Sequence, residues 1–250
     1  MEKMTIGFYW ILLATLTLDL VILTEGQNLL KDAPLHYIKG GDLYPRSIKS
    51  EGFIISLMNA YWEGPVESEC ACRVTCWTHV ECAGFSAHKE GDMMLCRLTI
   101  LPPNEINFEE NPSSTYTFWM GSVASILYQM FGGYMYLVPV GNRNFPDSKA
   151  YCESIPGHRL GIFQTPRALR SLEKVMTTTG LELWTDLHNS PDGPIWGDGV
   201  FLDFDVTLPI FEVSYSLMDT SPIRIRPPGV LDDNPSMNIR GFVCQASFIN

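Results

Sequence analysis

The sequence predicts an α+β fold built as two disulfide-stapled parts. Seven cysteines are split unevenly: Cys70, Cys72, Cys76, Cys82 and Cys96 lie close together, whereas Cys152 and Cys244 stand far downstream. Three segments carry helix-start signals or helical spacing. Most of the rest reads as short apolar runs divided by Gly, Pro, Asp and Asn, the pattern of short strands and turns. With 46% apolar and 18% charged residues among 250, the chain has enough apolar surface for packed cores in one or two domains.

Residues 1–26 are expected to be a secretory signal peptide. Lys3 gives a positive start, Ile6 to Leu23 is apolar apart from Thr, Gly and Asp19, and Thr24-Glu25-Gly26 is the exit. An uncleaved anchor is the alternative, and Asp19 in mid-bilayer weighs against it. No later run approaches the length of apolar residues needed to span a bilayer, so the mature chain is expected to have no membrane span. The expected location is extracellular, where cysteines are oxidised.

Downstream, 27–67 mixes apolar stretches such as Gly52 to Met58 with turn residues at Gly40-Gly41 and Gly64-Pro65. Ser68 to Thr78 reads as one short helix. Its start is acidic and able to cap, and the four-residue spacing puts Cys72 and Cys76 on one face. Ala83 to Ser86 and Leu95 to Leu98 read as short strands, Leu101 to Ser114 as a Pro/Asn/Glu-rich loop, and Tyr116 to Trp119 as a strand. The stretch 121–133 is the expected junction between the parts. Its breaker is Gly132-Gly133, but its centre is apolar, so it is expected to pack on one part rather than to be solvated.

In the second half, Tyr134 to Val138 is a strand candidate. Phe145-Pro146-Asp147 opens a helix reaching about Ser154, with Pro and an acid in its first turn. Thr165-Pro166 opens another, in which Leu169, Leu172, Val175 and Met176 recur at helical spacing. Short apolar runs follow at Leu181 to Leu187, Ile195-Trp196 and Val200 to Phe204. Gly241 to Ala246 reads as the closing strand.

The formal charge of −11 argues against a nucleic-acid footprint and against an anionic membrane surface. Cys72-x3-Cys76-x5-Cys82 is not the spacing of a common zinc module, even with His79 and His88 nearby. No Gly-x-Ser-x-Gly, His-Glu-x-x-His or Gly-x4-Gly-Lys-Ser/Thr motif occurs, so the chain is read as no enzyme. Asn111-Pro112-Ser113 and Asn234-Pro235-Ser236 are closed to N-glycosylation by their prolines.

Several motifs of the second half, in order, resemble the C-type lectin-like family. Phe145 to Cys152 is similar to its first helix, and His158-Arg159-Leu160-Gly161-Ile162 to the strand that follows. Trp184-Thr185-Asp186-Leu187 stands where the family has Trp-Ile-Gly-Leu. Pro194 to Gly199 is similar to its Trp-x-Asp-Gly turn, and Phe242-Val243-Cys244-Gln245 to its Phe-Val-Cys-Glu end. The resemblance implies two helices, antiparallel sheets and a long loop over 134–250, with Cys152 bonded to Cys244. The first half resembles the PAN/apple family, less completely, through Cys72-x3-Cys76-x5-Cys82-x2-Phe85 and Cys96-Arg97-Leu98. That likeness implies a small domain over 27–120, a helix on an antiparallel sheet, with Cys72–Cys96 and Cys76–Cys82 bonds. Cys70 is then unpaired, or the link of a disulfide-bonded homodimer, or a replacement for Cys72 in its bridge.

The lectin family's calcium site needs hard oxygen ligands from two motifs. Their counterparts here are Ser221-Pro222-Ile223, which brings no carboxylate, and Leu231-Asp232-Asp233, which leaves Asp232 and Asp233 as the only, weak, metal candidates. Arg224 and Arg226 are unfavourable beside a divalent cation, and Ser236 stands where an inner-bridge cysteine is expected. The stretch 206–240 is therefore expected to be the most mobile or diverged part of that half. No metal or cofactor is expected. The acids Asp186, Asp192, Asp198, Asp203 and Asp205 read as turn and strand-end residues. The expected role is secreted recognition of a glycan or extracellular protein, without calcium, with Arg224, Arg226, Asp232 and Asp233 as ligand-contact candidates. The alternative is a structural protein that uses the lectin-like fold as a scaffold and Cys70 as a link.

Overall fold

The computed structural model describes residues 30, 32–39, 46–214 and 221–248. The expected signal segment 1–26 lies outside them, as do residues 215–220 of the long loop. Among the described residues no helix is long and apolar enough to cross a membrane.

The first half is one six-stranded antiparallel sheet with a helix against it. The strands are β1 (Leu35–Ile38), β2 (Ser47–Ile55), β3 (Trp62–Val66), β4 (Gly84–Glu90), β5 (Met93–Thr99) and β6 (Phe108–Trp119). Their order is β1-β2-β6-β4-β5-β3. Helix α1 (Glu69–Thr78) starts where the capping residues predict, with the Ser68 hydroxyl accepting from the Ala71 amide at 3.2 Å. Its buried face is Cys72 and Cys76. Cys72 is bonded to Cys96 on β5, and Cys76 to Cys82 just before β4. With α1 tied to the sheet at two successive turns, Phe85, Leu98 and Trp119 close the small core beneath it.

One expectation fails here. Residues 108–114 are the first half of β6, not loop. Phe53, Ile54 and Ile55 pair with Glu110, Glu109 and Phe108, while Glu51 pairs with Thr115. Asn111 to Ser113 are looped out opposite Gly52, whose φ of 88° only glycine adopts readily, and Ser114 already pairs with His88 on β4. The bulge is held by Asn111, whose side chain accepts from the Ser113 amide at 3.1 Å. Pro112 therefore costs no ladder hydrogen bond, and the strand resumes on either side of it.

The second half has two sheets and two main helices. Strands β7 (Ser125–Phe131), β8 (Tyr134–Pro139), β9 (His158–Leu160) and β16 (Cys244–Ser247) form one sheet in the order β7-β8-β16-β9. The other is built from β10 (Leu183–Ser190), β11 (Gly193–Trp196), β12 (Glu212–Ser214), β13 (Pro222–Arg226) and β14 (Val230–Asp233), with β15 (Gly241–Phe242) parallel to β10. The helices are α2 (Phe145–Glu153) and α3 (Pro166–Thr179), plus a single turn, α4 (Phe204–Thr207). Most of the expected junction is β7. It turns back into β8 through Gly132-Gly133, both at positive φ, the two-residue hairpin such a pair favours. Cys152 near the end of α2 is bonded to Cys244 on the closing strand β16.

The two halves are not separate cores. Leu35, Ile48, Tyr116 and Phe118 of the first sheet lie in one buried cluster with Met135, Leu137, Leu160 and Trp184 of the second half. Gly157 makes the contact close. A Cβ there would lie 2.3 Å from Leu35 Cγ, and its amide donates to Leu30 O at 2.8 Å.

Candidate functional site

The hairpin β13–β14 carries the charged residues that the sequence singles out. Arg224 pairs with Asp232 across the ladder, and Ile223 with Asp233. The Arg224 guanidinium donates to Glu182 at 2.7 Å and to Asp232 at 3.0 Å, while Arg226 reaches Asp232 at 3.4 Å and Arg240 reaches Glu182 at 2.9 Å. The structure thus brings Arg224, Arg226 and Asp232 together, but as an internal network. Two carboxylates are shared among three arginines, so this end of the hairpin is held shut by its own charges.

The other end of the hairpin borders a cleft of about 560 Å³. Phe145 and Lys149 of α2, Asp186 and His188 of β10, and Ser221 and Ser236 of the flanking loops line it. Each is placed by a local reason. Asn144 caps α2 by accepting from the Asp147 amide at 2.8 Å, which aims Phe145 and Lys149 at β10. Asp186 is in mid-strand, and its amide and carbonyl bond to Gly161 O at 2.9 Å and the Gly197 amide at 2.7 Å.

Asp186 corrects the expectation of a turn residue. Its side chain is only 6% exposed, and the Lys149 ammonium holds both carboxylate oxygens, at 3.1 and 3.2 Å. Room for it comes from Gly197, where a Cβ would lie 1.9 Å from Asp186 Oδ2. Of the other acids in that group, Asp198 accepts from Gln164 at 2.8 and 2.9 Å, and Asp203 caps α4.

As expected from Ser236, no disulfide holds the segment beside the cleft; backbone bonds do: the Phe145 amide donates to Ser236 O at 2.9 Å, and Arg143 and Arg240 exchange bonds at 2.8 and 2.9 Å. The cleft therefore has a fixed rim. It offers an ammonium, a carboxylate, an imidazole and two hydroxyls beside apolar Phe145, Pro222 and Met237. That set can donate to and accept from a ligand's hydroxyl groups while apolar surface meets its C–H faces.

The sequence pointed to the hairpin charges and not to this cleft. The available signal was Asp186, an acid close to Leu183, Trp184 and Leu187 in a strand-like run, which must be paired when buried. Among the described residues no group of three or more His, Cys, Asp or Glu is placed to hold a metal ion. Cys70 is an exposed free thiol on α1.

No protein-family model matches the chain, and no curated sequence matches it. Solved structures similar to it are C-type lectin-like domains, each matched over about half of this chain. The carbohydrate-recognition domain of mouse scavenger receptor C-type lectin is 16% identical, over 49% of this chain and 95% of that one, with a TM-score of 0.40. TC14, a C-type lectin from the tunicate Polyandrocarpa misakiensis, is 22% identical over 46% of this chain and 99% of its own, at 0.38. The trimeric Kupffer cell C-type lectin receptor Clec4f is 16% identical over 48% and 82%, at 0.40.

Proposed function

We propose that this chain is a secreted, non-enzymatic recognition protein. In this reading a PAN/apple-like part over 27–120 leads through 121–133 into a C-type lectin-like part over 134–250, and the second part binds a glycan or an extracellular protein in the cleft beside α2, without calcium. The observation that carries it is the Lys149–Asp186 pair at the base of a cleft ringed by hydroxyl, imidazole and apolar groups. Asp186 is turned to Lys149 at 3.1 Å, which supports a binding role over a catalytic one for His188. Calcium independence is supported by Asp232, which lies within 3.4 Å of two guanidiniums.

The test is glycan-array binding of the full chain with and without a chelator. The reading expects signals that survive chelation, that persist in Asp232→Ala and that vanish in Ser236→Trp, which fills the cleft. Signals abolished by chelation, or unchanged by Ser236→Trp, contradict it.

One observation favours a second reading, an assembly role. Exposed Cys70, Val74 and Trp77 recur on one face of α1. Electrophoresis with and without reductant separates the two: a dimer that reverts on reduction and is absent in Cys70→Ser supports assembly, and a monomer under both conditions removes it.

A further inference from the structure

A second concave surface lies away from the cleft, between the β7–β8 turn and α3. It is a groove of about 600 Å³, with Phe131 and Gly132 on one side and Arg167, Arg170, Ser171 and Lys174 on the other. The three cations project from one helix face at spacings of three and four residues, spread over about 10 Å of helix axis. All three are exposed, and they take part in none of the ion pairs among the described residues, in which Lys49, Arg97, Lys149, Arg224, Arg226 and Arg240 do. Glu173, the one acid of α3, does not line the groove.

This placement runs against what folding favours. The first turn of α3 contains no acid and contains Arg167. The amino end of a helix carries partial positive charge, so cations there are unfavourable and an anion is favourable. A chain of net charge −11 that lines one groove with three cations, Arg167 among them in the first turn of the helix, has a local conflict, and a bound anion resolves it. The walls also fit a sugar. The β7–β8 turn is packed tightly on α3, with a Cβ on Gly132 falling 2.6 Å from Ser171 Oγ, so the groove is preformed. Met130 and Phe131 at its edge offer apolar surface, and the Lys174 ammonium lies 4.6 Å from the Phe131 ring centroid.

We propose that this groove binds an acidic oligosaccharide through its sulfate or carboxylate groups, Arg167 and Arg170 engaging the anions in forked geometry and Lys174 as a point charge. A short glycan is favoured over nucleic acid, because the overall negative charge repels an extended polyanion while the groove covers only two helical turns. The site is separate from the α2 cleft and does not depend on the reading given to that cleft.

The test is calorimetric titration of the full chain with a heparin-derived hexasaccharide, a hyaluronan hexasaccharide that carries carboxylates alone, and neutral chitohexaose. A short DNA duplex and a hexaglutamate peptide serve as the competing anions. The proposal expects heparin or hyaluronan fragments to bind, more weakly as salt rises, and chitohexaose not to. The exposed pair Arg170→Ala/Lys174→Ala should lose at least about tenfold in affinity, Arg170→Lys should lose less, and Lys89→Ala on the first sheet should lose nothing. Failure of both acidic hexasaccharides at low salt overturns it. So does undiminished binding by the double variant, or duplex or peptide binding as tight as the glycan. Loss of array binding in Ser236→Trp leaves this result untouched, so failure here and failure of the α2-cleft reading can be told apart.

Discussion

Gly197 leaves the space that the Asp186 carboxylate fills. Because a Cβ on Gly197 would meet the Asp186 carboxylate at 1.9 Å, Gly197→Ala is expected to cost about 1–3 kcal/mol in urea unfolding, and much less on an Asp186→Gly background. Equal costs in both backgrounds would contradict the pairing. His158 is the titrating residue of the core. It is fully buried, its Nδ1 faces Pro156 O at 2.9 Å and its Nε2 faces the Tyr128 hydroxyl at 3.0 Å. Burial lowers its pKa to about 4, against the partial opposition of the Pro156 carbonyl. The unfolded chain takes up a proton near pH 6.5, and the folded one not until about 4. Stability from this residue is therefore complete above 6.5 and falls as the pH drops to 4, by about 3 kcal/mol. Unfolding free energies measured across that range should show the slope, and His158→Gln should flatten it. The roles of Gly197 and His158 are not legible in the sequence alone, because each depends on a partner brought close by the fold.

At the scale of elements, legibility follows local signals. Helices α1, α2 and α3 lie where Ser68, Phe145-Pro146 and Thr165-Pro166 announce them, since caps and first-turn prolines act within a few residues. The start of β6 and all of β7 were missed for the opposite reason. Phe108–Glu110 is a strand only because β2 lies beside it, and β7 because β8 does. The stretch 206–240 is the one expected to be the most mobile or most diverged of the second half. Among its described residues it holds the end of α4 and the whole of β12, β13 and β14. The bond between α2 and β16 closes the longest covalent loop, with a sequence separation of 92. Its removal in Cys152→Ala/Cys244→Ala is expected to cost about 4–5 kcal/mol by the chain-entropy argument. Thermal unfolding with and without the substitutions checks this, and a change of less than about 1 kcal/mol would show that the bond constrains little.

Over the whole molecule, the cysteine split anticipates the disulfides' division between the halves but not how the halves meet. The bonds stay within each half, while Leu35, Ile48 and Phe118 share one buried cluster with Leu137, Leu160 and Trp184. Such a cluster makes the halves interdependent. Denaturation should follow one transition by tryptophan fluorescence and by far-ultraviolet circular dichroism, and Leu35→Ala should lower it by about 2–5 kcal/mol. Two separated transitions would contradict the shared core. In the proposed function, ligand enters the cleft beside α2 rather than the hairpin tip. Amide chemical-shift mapping of the full chain with its best array glycan, in chelator, addresses it directly. The account predicts shifts at Lys149, His188, Ser221 and Ser236. Shifts confined to the strands of Arg224 and Asp232, appearing only when calcium is restored, would contradict it.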